Sequence, residues 1–336
     1  VKKMMKWIPG ELHTHTDNSD GAMDLKALAL KSLKFGLRYI ALTDHNTVSG
    51  HIKIPEVMNS TGLQILYGME LTTFYGHIVA LGVHEFIEWR DVSVFNINKA
   101  LDRIHRAGGL AGVAHPYRIG DPVCTGCYWE YEIDDWSNMD YFEVWTEAFP
   151  PIIPGNKKAF DFWTQLLNRG CRITAVSGRD WHGNEVENRP IAVTYLGLEN
   201  YEGDICEKDF LAAVKAGRTC VTLGPFMTIT LKFNKSNHIY SIGETVAAEL
   251  KERKAVVNLK FNFSEREEKW KLDYKSLAVN IVSNKGIIGS TVAYPNTTDT
   301  DLSIEMDELR WIRAEMYGKI AGINTMIAFT NPIYFE

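Results

Sequence analysis

From Glu11 to about Thr222, short apolar runs alternate with stretches of helical period, the pattern of a β/α architecture built on a mainly parallel barrel or sheet. The first unit shows how the signal arises. Asp24 is placed to cap a helix, Leu25, Leu28, Ala29 and Leu33 recur at near-helical spacing, Gly36 ends it, and Arg38 to Thr43 follows as a buried strand. Further strands are predicted near Leu12 and at Leu63 to Met69, Leu110 to Ala114, Tyr141 to Trp145, Arg172 to Ser177 and Ile191 to Leu196. That set approaches the eight of a closed β/α barrel, and a hairpin at His77 to Val83 interrupts it. After Gly224-Pro225 the period becomes two: Val257, Leu259, Phe261 and Phe263 face one way, Asn258, Lys260 and Asn262 the other. Comparable strands pass through Ile229, Val279, Val292, Ile312 and Ile327, which predicts an immunoglobulin-like β-sandwich of seven or eight strands. The expected division is therefore 1–224 and 225–336, with the two parts packed directly on each other.

Composition narrows the function classes. Of 336 residues, 45% are hydrophobic and 23% charged, as in ordinary globular proteins. Thirty-six basic against forty-two acidic residues give a net charge of -6, so no global positive field collects nucleic acid or an anionic membrane. No run of eighteen apolar residues occurs and the first residues lack the apolar core of a signal peptide, so the expected location is cytoplasmic. The five cysteines do not make a disulfide framework.

Chemistry concentrates at predicted strand ends. Nine of the ten histidines precede Gly224. The first strand closes on His13-Thr14-His15, whose two imidazoles project to one side, and Asp20 follows on a tight loop. Later strands close on Asp44-His45, on Glu70, on His115-Pro116 and on Arg179-Asp180-Trp181-His182, while the hairpin opens with Gly76-His77. In a β/α barrel these ends converge on one face. Burying so many acids among imidazoles without a cation would be costly, which predicts a metal cluster.

These residues resemble the PHP superfamily, named for polymerase and histidinol phosphatase, whose motifs match His13-Thr14-His15, Thr43-Asp44-His45, His115-Pro116 and Asp180-Trp181-His182. The resemblance implies a distorted seven-stranded β/α barrel holding two or three divalent ions, Zn, Mn or Fe. By position, His13, His15, Glu70 and Asp180 would hold the first, Glu70 with His77 and His115 the second, and Asp20, His45 and His182 a third. Trp7 to His13, Glu70 to Thr73, Ala216 to Thr219 and Thr330 to Tyr334 are similar to the carbaryl-hydrolase-like branch, in which a β-sandwich often follows the barrel.

Such ions would lower the pKa of a bound water and stabilise negative charge at the attacked centre. The expected function is a metal-dependent phosphoesterase acting on a small phosphomonoester or nucleotide, so the expected partner is a small phosphate ester. The alternatives are a metal-dependent carbamate or carboxylic ester hydrolase and a non-catalytic metal-stabilised binding module. No GxSxG, GxxxxGK[ST] or GxGxxG motif competes. Asp44 is a candidate proton acceptor or orienting residue. Arg118 and Arg179 are the candidate phosphate clamps, Arg189 and Arg218 weaker ones. Tyr117, Trp129 and Trp181 are candidates for stacking on a ring or for packing the rim. Cys124 and Cys127 form half of a zinc or redox motif without a second half, and are read as loop chemistry.

Overall fold

The structure, a computed structural model, describes residues 5–120, 126–183, 189–199, 205–247, 252–273 and 276–336. Its first part runs β1 (Met5–Thr14), α1 (Leu25–Lys34), β2 (Tyr39–Leu42), α2 (Ile54–Thr61), β3 (Gln64–Thr73), β4 (Gly76–Leu81), α3 (Asn98–Arg106), β5 (Leu110–Ala114), β6 (Tyr141–Thr146), α4 (Pro154–Asn168), β7 (Thr174–Gly178), β8 (Val193–Glu199), α5 (Glu207–Lys215) and β9 (Thr219–Thr222). The first helix forms as its sequence predicts: the Asp24 carboxylate accepts from the Ala27 N–H at 2.7 Å, Leu25, Leu28 and Ala29 are buried, and Gly36 takes a positive φ of 75° after the last turn.

Strand order explains how the site is assembled. β1, β2 and β3 pair in parallel, as do β5, β6 and β7, while β4 runs antiparallel between β3 and β5. The hairpin does not interrupt the sheet; it supplies one of its strands. Only Phe74 and Tyr75 separate β3 from β4, and so short a turn forces the antiparallel pairing. The carboxyl ends of β1, β2, β3, β5, β6 and β7 therefore share one edge with the amino end of β4. Beyond β7 the chain returns to β1: Trp181 N–H donates to the His13 carbonyl at 3.1 Å and His15 N–H to the Trp181 carbonyl at 3.0 Å.

The tail contains β10 (Phe226–Lys232), β11 (Ile239–Ser241), β12 (Thr245–Val246), β13 (Lys254–Asn262), β14 (Leu277–Ser283), β15 (Gly286–Ala293), β16 (Asp299–Glu305), β17 (Trp311–Ile320), β18 (Ile323–Thr330) and β19 (Ile333–Phe335). Among the described residues ten strands replace the expected seven or eight because β11, β12 and β19 span only two or three residues, too few to carry a period. The tail strands also divide between two sheets. β11, β10, β13 and β16 form a four-stranded antiparallel sheet. β14, β15, β17, β18, β19 and β12 instead continue the fifteen-stranded sheet, through β18 pairing with β9. Side chains reinforce that junction. Phe329 lies 5.0 to 5.8 Å, centroid to centroid, from Trp145, Phe160 and Trp163, and the buried Asn331 amide donates to and accepts from the Ala175 backbone of β7 at 2.7 and 2.8 Å. The Thr330 to Tyr334 segment is thus a structural tie between the tail and the first part.

Candidate metal centre

The common edge gathers the strand-end histidines and acids. His13 and His15 leave the same face of β1, Glu70 comes from β3, His77 from the start of β4, His115 from the end of β5, and Asp180 and His182 from the segment after β7. His13, His15, Glu70 and Asp180 are all buried, and one ligand atom from each lies within 4.8 Å of the others. His15, Asp20, His45 and His182 make an outer group by the same measure, and His45, Glu70 and His77 another. Every candidate ligand named from the sequence except His115 falls within these groups. A further group joins His77 and His115 to Cys127.

Glu70 is the hub. Its Oε2 lies 3.3 Å from His13 Nε2, 3.4 Å from His15 Nε2 and 2.6 Å from His45 Nδ1, while its Oε1 lies 2.9 Å from His77 Nδ1 and 3.1 Å from His115 Nε2. Asp180 Oδ1 lies 3.3 Å from His13 Nε2 and 3.0 Å from His15 Nε2. Burial opposes ionising Glu70, yet His13, His45 and His77 hold its carboxyl well below the usual range. The same contest, won by His13 and His15, holds Asp180 well below its own. Burial pulls His15 down to about 4. It pulls against His13 and His182 too, but Glu143 and Glu70 raise His13 well above its ordinary value, and Asp20 and Asp180 raise His182 to about 9. Four buried atoms here make no hydrogen bond: His13 Nε2, His15 Nδ1, Glu70 Oε2 and His115 Nδ1. An unsatisfied nitrogen, His13 Nε2, 3.3 Å from an unsatisfied carboxylate oxygen, Glu70 Oε2, within a buried set of nitrogen and oxygen donors fits divalent cations.

Backbone strain coincides with the site. His115 and Asp180 adopt positive φ of 28° and 54°, as does Asn46 at 52° next to His45. Non-glycine residues pay for that conformation and tend to be held in it where function requires it.

Two acids behind the cluster, Glu143 and Glu11, were not among the candidate site residues, although Glu11 stands just before the first motif. Glu143, in the middle of β6, is fully buried; its Oε1 accepts from His13 Nδ1 at 2.8 Å and its Oε2 from the His115 N–H at 3.0 Å. It fits only because Gly178 has no side chain, since a Cβ there would collide with the carboxylate. The available signal was one acid inside the apolar run Tyr141 to Trp145. Glu11 accepts from the N–H groups of Leu12, His13 and Arg179 at 2.8 to 3.0 Å, fastening β1 to the loop that carries Asp180. Burial pushes its carboxyl up to about 8, despite the backbone donors at Arg179 and His13.

The remaining candidates separate by what they touch. Asp44 accepts from the Thr16 N–H at 2.6 Å, from the Thr16 hydroxyl at 2.7 Å and from the Ser19 hydroxyl at 2.9 Å, so it holds the loop that presents Asp20. Arg118 lies at the mouth, with Nη1 on Asp180 Oδ2 and Nε 3.2 Å from Glu147. Burial opposes its charge, and Asp180 and Glu147 prevail to raise its pKa. Arg179 is buried with its guanidinium over the rings of Trp181 at 4.4 Å and Phe35 at 5.5 Å. Trp181 has no exposed surface and packs in that core, leaving no face for a substrate ring. Tyr117 is half-buried, edge-on to the exposed Tyr128. Arg189 is exposed, and Arg218 bonds the Gly197 carbonyl at 3.0 Å and lies 3.3 Å from Glu199. Cys124 lies outside the described residues, Cys127 is half-buried, and Cys171, Cys206 and Cys220 are free thiols. Among the described residues no helix is long and apolar enough to cross a membrane.

Residues 11–119 match the PHP domain family. That segment holds seven of the nine candidate ligands, all but Asp180 and His182. The chain is 27% identical over 128 residues to an uncharacterized protein of Methanocaldococcus jannaschii, covering 35% of this chain and 71% of that one. It is 38% identical over 72 residues to an error-prone DNA polymerase of Symbiobacterium thermophilum, only 7% of that protein's length. Among solved structures, a two-domain protein from Bacteroides vulgatus containing a predicted PHP-like metal-dependent phosphoesterase is similar over 98% of this chain and 96% of that one, with a TM-score of 0.55. At 13% identity this likeness shows a shared fold across both parts of the chain.

Proposed function

We propose that the protein is a metal-dependent hydrolase of small phosphate esters, a phosphomonoester or nucleotide. The observation that carries the reading is the buried quartet of His13, His15, Glu70 and Asp180, in which His13 Nε2 and Glu70 Oε2 face each other without a hydrogen bond. In this reading His13, His15, Glu70 and Asp180 hold one ion, Glu70 with His77 and His115 a second, and Asp20, His45 and His182 a third. Zn, Mn or Fe suits such a mixed set. When bound, divalent ions supply Lewis acidity and bring the pKa of a coordinated water toward neutrality.

The chain's own residues do the rest. Glu143, taking the Nδ1 proton of His13, directs Nε2 of that ring into the centre and keeps it there. Asp44 shapes the Asp20 loop and takes no proton from substrate. Arg118, about a third exposed beside Asp180, would exchange part of its carboxylate contacts for phosphoryl oxygens, which its fork matches. Arg179 supports the wall from behind Trp181. Residues 1–224 carry this chemistry, and 225–336 act as a β-sandwich buttress.

A second reading, hydrolysis of a carbamate or carboxylic ester, draws on the exposed Phe74 and Tyr128 beside the half-buried Tyr117 and Trp129, an aromatic rim suited to an aryl group. Nucleoside monophosphates and aryl esters assayed with Mn, Zn or Fe separate the two. Turnover of aryl esters alone removes the phosphate reading, and failure of the metal-loaded protein on both panels leaves a binding module.

A further inference from the structure

We propose that Cys127 is a sulfur ligand of the second metal position, giving it a set of two imidazoles, one carboxylate and one thiolate. The proposal rests on the metal reading of the site and adds a donor that neither the strand-end pattern nor the PHP motifs supply. The ligand atoms of His77, His115 and Cys127 all lie within 4.8 Å of one another. Both histidines are nearly inaccessible, at 3% and 2% exposure, and both already meet Glu70 Oε1, at 2.9 and 3.1 Å. His115 Nδ1 makes no hydrogen bond. Two nitrogens, one carboxylate oxygen and one sulfur make the four donors of a tetrahedral site.

Cys127 does not arrive there on a free loop. Trp129 N–H donates to the Pro116 carbonyl at 2.8 Å, one residue beyond His115, and Glu130 N–H to the Tyr75 carbonyl at 2.8 Å in the turn before His77. Gly126 adopts a φ of 71° and lies so close to the Phe74 backbone that a Cβ would collide with it. The segment is pinned on both sides to the residues that deliver the two imidazoles. A thiolate makes this position softer than the all-nitrogen-and-oxygen quartet, so it favours Zn, Fe or Co over Mn or Mg. The two positions then differ in the metal they prefer.

Cobalt is the probe. The metal-free full chain titrated with Co²⁺ under reducing conditions should develop a near-ultraviolet sulfur-to-cobalt charge-transfer band, and iodoacetamide labelling of Cys127, read by peptide mass, should slow at least about tenfold. Cys127→Ser should lose the band and bind about one equivalent fewer, with the visible bands of the remaining cobalt retained. Cys124→Ser should keep the charge-transfer band. Cobalt binding without that band, or a band lost with Cys124→Ser and kept in Cys127→Ser, overturns the Cys127 assignment while the metal reading stands. Absence of cobalt binding to the wild-type chain overturns both.

Discussion

Two regions of this molecule bury charge, and they solve the problem in opposite ways. At the junction of α4 with β17, Arg313 is 2% exposed; its Nε and Nη2 reach Glu315 Oε1 at 2.9 and 2.7 Å. The guanidinium lies 4.5 to 4.9 Å from the ring centroids of Phe160, Trp163 and Trp311, and the Tyr317 hydroxyl donates to Glu315 Oε2 at 2.6 Å. One cation meets one anion, and aromatic faces cover the rest. At the strand-end edge, Glu70, Asp180 and Glu143 face several imidazoles, and buried nitrogens there stay without hydrogen bonds. The first cluster leaves Arg313 Nη1 without a hydrogen bond under its aromatic cover, whereas in the second His13 Nε2 and Glu70 Oε2 lie 3.3 Å apart and neither is hydrogen-bonded. A cavity of about 870 Å³ beside the first cluster shares no residue with the second. Size of cavity and position of chemistry are separate matters in this fold.

The contrast can be broken most severely at the quartet. Asp180→Ala and His15→Ala should each lower metal affinity and activity by more than about a hundredfold, beyond what loss of a supporting residue costs, while leaving circular dichroism unchanged. Unfolding of either variant would make the quartet structural, like the arginine pair. Next, Glu315→Ala strands the buried Arg313 charge and should cost about 3–5 kcal/mol of stability in denaturant titrations, with metal content unaltered.

Glu143→Gln keeps the shape but weakens the grip on His13, and should reduce metal affinity about 10- to 100-fold by competitive chelation. The pH dependence follows from His182, raised to about 9 against the pull of burial. Below that pH the ring is protonated in the metal-free protein and must shed its proton to ligate. Affinity at the outer position should therefore climb as pH rises toward about 9, up to tenfold per unit for one displaced proton. Calorimetry in buffers of different ionisation enthalpy counts the protons released; an affinity flat between pH 6 and 9 removes His182 from the ligands. The smallest effect is expected where the arginine pair is replaced as a whole. Arg313→Met with Glu315→Leu should shift stability by about 1 kcal/mol or less, or raise it.

Local pattern carried much of this architecture. Period and caps placed α1 within a residue of its ends, and the strand-end residues were identified because a β/α chain exposes polar residues where each strand stops. Seven candidate ligands lie in the segment that matches the PHP domain family. Local pattern could not anticipate the sheet shared between β9 and β18, since hydrogen bonding between distant strands leaves no mark in local spacing. Arg118 and Arg179 sit in equally suggestive sequence, yet one guanidinium lies among acids at the mouth and the other on Trp181 in the core. Their rotamers answer to neighbours far along the chain. Glu143 and Cys127 mark the same limit: each reads locally as an oddity, an acid in an apolar strand and half of a CxxC, and acquires meaning only where β1, β4 and β5 bring histidines to meet it. Residue type and order decide which donors a chain can offer, and only the folded backbone decides which of them share a point in space.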